Sequence, residues 1–248
     1  MTALFDSGSS NIHFGLWNSE ILYEIKKISY QDSWEKLKRE IELLLKGIEP
    51  DKIAACSVSP KWKTTLFRIL NDLFPGKLVV AEKASDLNIE VLYDKPESYG
   101  IDRALDCYYA FNLFKNSCVV VDAGTAVTID AVDKNGRVLG GYIIPGWEIF
   151  SESLSEKTRL PHINFENNND IGKSTLSCLK NGISSAFRYA VVNLVKKAVI
   201  VSECGNRIIV TGGDGEIIKK CFDYDVIYKP DMILYALAQV ADMLPEYK

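Results

Sequence analysis

Apolar and polar residues alternate in two bursts, one at the start of the chain and one just past its midpoint; elsewhere apolar residues recur at helical spacing. The first burst predicts strands over 2–6, 10–17 and 21–28. A helix is expected over 33–46, where Trp34, Leu37, Ile41, Leu44 and Leu45 share a face, with Asp32 as N-cap and Glu35 three residues on. Residues 53–58 read as a buried strand. Ser59-Pro60 then opens a helix with proline at its first position and Trp62, Leu66, Ile69, Leu70 and Leu73 on its apolar face. A short strand over 77–81 leads into a polar connector, 82–100, and a helix from about 101 turns Ile101, Leu105, Tyr108 and Phe111 inward.

The second burst predicts strands over 118–122 and 126–132, a turn at Lys134-Asn135-Gly136, and a third strand to Ile144 that Pro145-Gly146 ends. Helices are expected over 147–158, 174–203, 214–221 and 231–243, with strands over 207–211 and 224–228. Each half thus begins with a strand meander and goes on to alternate helices and strands. The pattern is a duplicated α/β unit, 1–114 and 115–248, with its boundary near 112–118.

The two bursts carry the same turn. Thr2-Ala3-Leu4-Phe5 runs into Asp6-Ser7-Gly8-Ser9-Ser10, and Cys118-Val119-Val120-Val121 runs into Asp122-Ala123-Gly124-Thr125-Ala126. Asp and Gly are common turn formers, so either segment alone reads equally well as an ordinary turn. The repetition after equivalent strands favours phosphate binding. A carboxylate can position Mg²⁺ or its waters. A glycine turn lets backbone N–H groups approach phosphate oxygens, and Ser10 and Thr125 add hydroxyls. Two such turns facing each other can clamp a metal–nucleotide phosphate chain from both sides. Thr128 and Asp130, further along the second strand, read as supporting residues.

Composition narrows the class. The chain has 248 residues, 47% hydrophobic and 25% charged, with a net charge of -4, which suits a globular protein rather than a dedicated nucleic-acid binder. No apolar run is long enough to cross a bilayer and no signal peptide is visible, so a cytoplasmic protein is expected. Cys56, Cys107, Cys118, Cys178, Cys204 and Cys221 are scattered without a C-x-x-C pair, which argues for reduced packing residues over zinc ligands. His13 and His162 are the only histidines, and neither has the company of a Ser-His-Asp centre.

Three further segments carry candidate chemistry. In Pro96-Glu97-Ser98-Tyr99-Gly100-Ile101-Asp102-Arg103, an acid in the first helical turn suits the helix dipole. It equally suits a general base that takes a proton from an alcohol attacking a γ-phosphoryl group. Arg103 can hold a substrate carboxylate by paired hydrogen bonds. The glycines of Gly140-Gly141-Tyr142-Ile143-Ile144-Pro145-Gly146 permit tight packing or close ligand approach. Gly212-Gly213-Asp214, at a strand-to-helix turn, suits either a plain turn or a flat base or ribose against backbone.

In this order the segments resemble the type III pantothenate kinases over nearly the whole chain. The matching motifs are the Asp6 turn, Tyr93…Pro96…Gly100-Ile101-Asp102-Arg103, the run from Asp122 to Asp130, Gly140 to Gly146, and Thr211-Gly212-Gly213. The resemblance implies the acetate and sugar kinase/Hsc70/actin fold, built of two ribonuclease-H-like halves. It implies ATP-dependent phosphorylation of pantothenate on its primary hydroxyl, the first step toward coenzyme A. It assigns Asp102 as proton acceptor, and Tyr93, Gly100, Ile101, Asp102, Arg103 and Thr175 to the pantothenate site. It assigns Asp6, Ser7, Gly8, Ser9, Ser10, Asn11, Ile12, His13 and Thr125 to ATP. Asp122 matches the ligand of a monovalent cation, K⁺ or NH₄⁺, and Asp6 is a candidate for the Mg²⁺ that accompanies ATP. The family completes its site across a homodimer interface, and Thr175 is a candidate to serve the neighbouring subunit. One position departs from the pattern: Ser9-Ser10 stands where the family has Asn-Thr. Two alternatives stay open, another small acid or a sugar as substrate on the same fold, and a non-catalytic regulator built on it.

Overall fold

Two stretches of strand-forming sequence build two sheets of one topology. The computed structural model describes residues 1–30, 33–155, 158–168 and 170–247. Its compact units are Met1–Tyr109 with Met232–Lys248, and Ala110–Asp231.

In the first unit, β1 (Thr2–Ser7), β2 (Asn11–Trp17) and β3 (Leu22–Ser29) form an antiparallel meander. β4 (Lys52–Ser57) then pairs parallel with the other side of β1, and β5 (Leu78–Ala81) pairs parallel with β4. The order is β3-β2-β1-β4-β5. β1 and β4 are covered on both faces, which is why they read as continuous apolar runs rather than alternations. Ala3 and Phe5 share a core with Leu37, Ile41, Leu66 and Leu70 of α1 (Trp34–Leu44) and α2 (Lys63–Leu73). On the opposite face, Gly15 of β2 lies so close to Leu22 and to Leu234 of α7 (Met232–Val240) that a Cβ there would meet both side chains.

The second unit repeats the plan. β6 (Cys118–Ala123), β7 (Ala126–Val132) and β8 (Val138–Pro145) form the meander. β9 (Ile208–Thr211) pairs parallel with β6, and β10 (Ile227–Tyr228) parallel with β9. The order, β10-β9-β6-β7-β8, is that of the first sheet with each strand replaced by its counterpart. The long α5 (Thr175–Ser202) lays Phe187, Val191 and Val195 against Val119, Val121 and Ile129. α4 (Trp147–Glu152) and α6 (Gly215–Cys221) complete the unit.

Several boundaries differ from the sequence reading. The division between the units falls within α3 (Ile101–Phe114), and α7 packs on β1, β2 and β4 of the first unit, whereas the sequence reading counts it with the second half. Pro60 does not open α2. The amides of Trp62 and Lys63 both reach back to the Ser59 carbonyl, so a separate turn precedes the helix, which starts at Lys63. The N-cap of α1 is Ser33, whose side chain accepts the Lys36 N–H; Asp32 lies outside the described residues. α4 ends at Glu152, and the strand expected over 224–228 shortens to β10. All six cysteines are free, and only Cys178 among them is exposed. Among the described residues no helix is long and apolar enough to cross a membrane.

Candidate active site

Asp6 is the second-last residue of β1, and Asp122 holds the same place in β6. Each carboxylate therefore sits between an antiparallel and a parallel neighbour. Asp6 lies across from His13 on β2 and from Cys56 on β4; Asp122 lies across from Thr128 on β7 and from Thr211 on β9.

In the first unit the Cys56 thiol donates to Asp6 Oδ1 at 3.3 Å, and His13 Nδ1 stands 3.6 Å from Oδ2. Both carboxylate oxygens thus have a cross-strand neighbour. Burial pushes the Cys56 thiol well above its ordinary range, and the charges of Asp6, Asp102 and Asp106 add to the effect. Asp6 and Asp102, distant in sequence, therefore bear on the same thiol. Past Asp6 the chain turns tightly, with Gly8 N–H bonded to the Asn11 carbonyl at 3.0 Å, and Ser9 and Ser10 exposed at the tip.

Behind this turn lies a set of hydroxyls of which the sequence reading singles out only Ser7. Tyr30, just past β3, donates to the Gly8 carbonyl at 2.5 Å and lies 2.7 Å from Ser7 Oγ. Ser57 Oγ donates to Ser7 Oγ at 2.9 Å. Nothing in local spacing marks Tyr30 or Ser57. The usable signal is topological, since loops at the carboxyl ends of parallel strands gather ligand-binding groups in open α/β sheets.

The second constellation stands at the start of α3. Asp102 Oδ1 accepts the Arg103 N–H at 2.8 Å, within the first helical turn. Loss of water around Asp102 raises its carboxyl above the usual range, and its bonds to Arg103 only partly offset this. Arg103 is buried. Its Nη2 donates to Tyr93 OH at 3.0 Å, and its guanidinium lies over the rings of Tyr99 (4.6 Å) and Tyr93 (5.9 Å). The two tyrosines meet edge to face at 5.1 Å. A planar cation stacked on aromatic faces is pre-organised, so it loses little freedom on gripping a carboxylate. A Cβ at Gly100 would stand 2.5 Å from Asp102 Oδ1, so a side chain there would shift that carboxylate.

In the second unit the Asp122 turn closes on itself and two further loops close on it. Gly124 N–H bonds the Ala126 carbonyl (3.0 Å), Gly146 N–H bonds Thr125 O (2.9 Å), and Asp214 N–H bonds Ala123 O (2.9 Å). The Gly140–Gly146 and Gly212–Asp214 segments, read separately in the sequence, thus meet the turn at Gly124. Gly212 has φ +85° and lies against the Ala123 carbonyl and Asp122 Oδ1, so a side chain there would fill the space beside that carboxylate. Gly146 presses on the Gly124 and Thr125 carbonyls. Tyr228 OH, unmarked in the sequence, donates to Gly212 O at 3.2 Å. Thr175 is exposed as the first residue of α5, directly after its N-cap Ser174.

Comparison with known proteins bears on both units. A family model described as type III pantothenate kinase matches residues 3–197. A type III pantothenate kinase of Dichelobacter nodosus is 33% identical over 88% of this chain and 89% of its own length. Among solved structures, a Campylobacter jejuni protein assigned to the Baf family of transcriptional activators superposes with a TM-score of 0.65 at 23% identity, covering 97% of each chain. The activator of 2-hydroxyisocaproyl-CoA dehydratase from Clostridium difficile, with bound ADPNP, gives 0.53 at 14% identity, over 98% of this chain and 92% of its own. The fold is that of the actin-like kinases and ATPases. With a matching model over most of its length and a curated relative at this identity, the chain belongs to the type III pantothenate kinase family.

Proposed function

We propose that this protein transfers the γ-phosphoryl group of ATP to the primary hydroxyl of pantothenate, giving 4'-phosphopantothenate, the first step of coenzyme A biosynthesis. One observation carries the reading: in a chain of this family, Asp102, Arg103 and Tyr93 stand together at the head of α3. In this proposal Asp102 accepts the hydroxyl proton, and the burial that raises its carboxyl makes it a stronger base than an exposed aspartate. Arg103, steadied by Tyr93 and Tyr99, holds the pantothenate carboxylate, with Gly100 and Ile101 lining the approach. The turn from Asp6 to His13 and the Thr125 turn bind the phosphates, where positioning and electrostatics account for most of the catalysis.

The donor chemistry fits the cations the family implies. Asp6 offers hard carboxylate oxygens to Mg²⁺ at the phosphates, and Asp122, beside the space that Gly212 leaves open, offers them to K⁺ or NH₄⁺. Such cations offset phosphate charge. The proposal includes a homodimer with Thr175 serving the neighbouring site, supported by exposed Leu176 and Tyr189 on α5, and a cytoplasmic location.

The test is ATP-dependent formation of phosphopantothenate by the purified protein, followed by mass, with and without K⁺. Product is expected in both conditions and faster with K⁺. Turnover of a sugar or another small acid in place of pantothenate would replace the substrate assignment. A second test concerns Ser9, where the family has Asn. Ser9→Asn restores one amide hydrogen bond at the turn and should lower the KM for ATP by roughly twofold to tenfold. An unchanged or higher KM removes that role.

A further inference from the structure

Resting on the ATP assignment above, we infer that Tyr30 is a positioning residue for the first phosphate turn, aiming the Ser9 N–H outward as a phosphate donor. The argument is a count of protons. A hydroxyl has one to give. Tyr30 gives its proton to the Gly8 carbonyl, 2.5 Å away. The 2.7 Å contact between Tyr30 and Ser7 must then be donated by Ser7. Ser57 donates to Ser7 at 2.9 Å, and the Ser59 N–H donates to Ser57 Oγ at 3.2 Å. Ser7, Ser57 and Ser59 are all buried. Four hydrogen bonds thus run in one direction, from the Ser59 amide to the Gly8 carbonyl.

Peptide planarity converts this into an orientation. In a trans peptide the C=O and the following N–H point to opposite sides, and the described residues contain no cis bond. Holding Gly8 C=O on the phenol therefore turns the Ser9 N–H away from the body of the unit, at a residue that is itself exposed. The preceding peptide is fixed as well, through Gly8 N–H and the Asn11 carbonyl. The phenol does not wander: its ring stacks on Trp62 at 5.2 Å and 3° from parallel.

Tyr30→Phe keeps the ring and the stack and removes the hydroxyl, which is both the donor to Gly8 and the acceptor from Ser7. ATP affinity by calorimetry and KM for ATP should both weaken roughly threefold to tenfold, the worth of one hydrogen bond, while KM for pantothenate stays within about twofold. Ser7→Ala, which leaves the phenol in place but breaks the chain behind it, should shift ATP in the same direction by less. It also provides the reading should Tyr30→Phe fold poorly. Unchanged ATP affinity in both variants overturns the inference, and so does a parallel rise in both KM values with a fall in melting temperature. If the wild-type protein binds ATP but makes no phosphopantothenate, the proposed function fails and the affinity ratio still decides the role of Tyr30. If it makes product and Tyr30→Phe binds ATP normally, this inference alone fails. If it binds no ATP, both fall.

Discussion

Asp102→Asn is expected to lower kcat by ~10²–10⁴-fold, the usual worth of a positioned general base. ATP affinity should be close to that of the parent, because Asn keeps an Oδ1 to accept the Arg103 amide. Stability supplies the discriminating readout. The folded-state carboxyl is raised by burial, so between its unfolded and folded pKa values the native state binds more protons than the unfolded chain. Stability from this group is therefore lost as pH rises through that window, and above it the ionised Asp102 works against folding. A neutral Asn removes that penalty, so the melting temperature at pH 7 should hold or rise while turnover collapses. In the parent, the acid limb of kcat/KM should lie above the usual carboxylate range for the same reason. Near-normal turnover in the variant would reject the base assignment, and a large fall in melting temperature would show that the acid is structural.

Gly146→Ala should be strongly damaging. A Cβ there would overlap the Gly124 carbonyl oxygen and stand 2.8 Å from that of Thr125. The obstacle is backbone, held by the Gly146 N–H to Thr125 bond, and cannot swing aside as a side chain would. Overpacking of this kind costs about 3 kcal/mol, or on the order of 6–12 °C in melting temperature for a domain of this size. If the protein still folds, the Thr125 turn must move, and KM for ATP should rise with it. Gly140→Ala is the control within the same motif: Gly140 has φ +137°, but a Cβ there would meet no atom within 4 Å, so any cost is backbone strain alone. A melting temperature for Gly146→Ala equal to the parent's would mean that the loop is loosely packed and not a fixed wall of the site.

Much of the architecture was legible because it is written locally. The apolar runs of β1 and β6, the alternation in β2 and β7, helical spacing in α1 and α5, and the turn at Lys134-Asn135-Gly136 are short-range patterns, and the structure follows them closely. The errors fall where local preference is outvoted. Pro60 is a good first helical residue, yet the Ser59 carbonyl captures the Trp62 and Lys63 amides in a turn of its own, and the helix starts later. The 224–228 segment has strand-like residues, but only Ile227 and Tyr228 find pairing partners on β9.

By itself the sequence determined the duplicated strand meanders, the equivalent placing of Asp6 and Asp122, and the acid and arginine at the head of α3. All of these follow from residue type and spacing within a few positions. Only the tertiary structure decided that Cys56 and His13 flank Asp6, that Tyr30 grips Gly8, and that Gly146 and Gly212 close on the Gly124 turn. Those neighbours are set by strand pairing and loop closure between residues far apart in the chain, and no local preference encodes such a register.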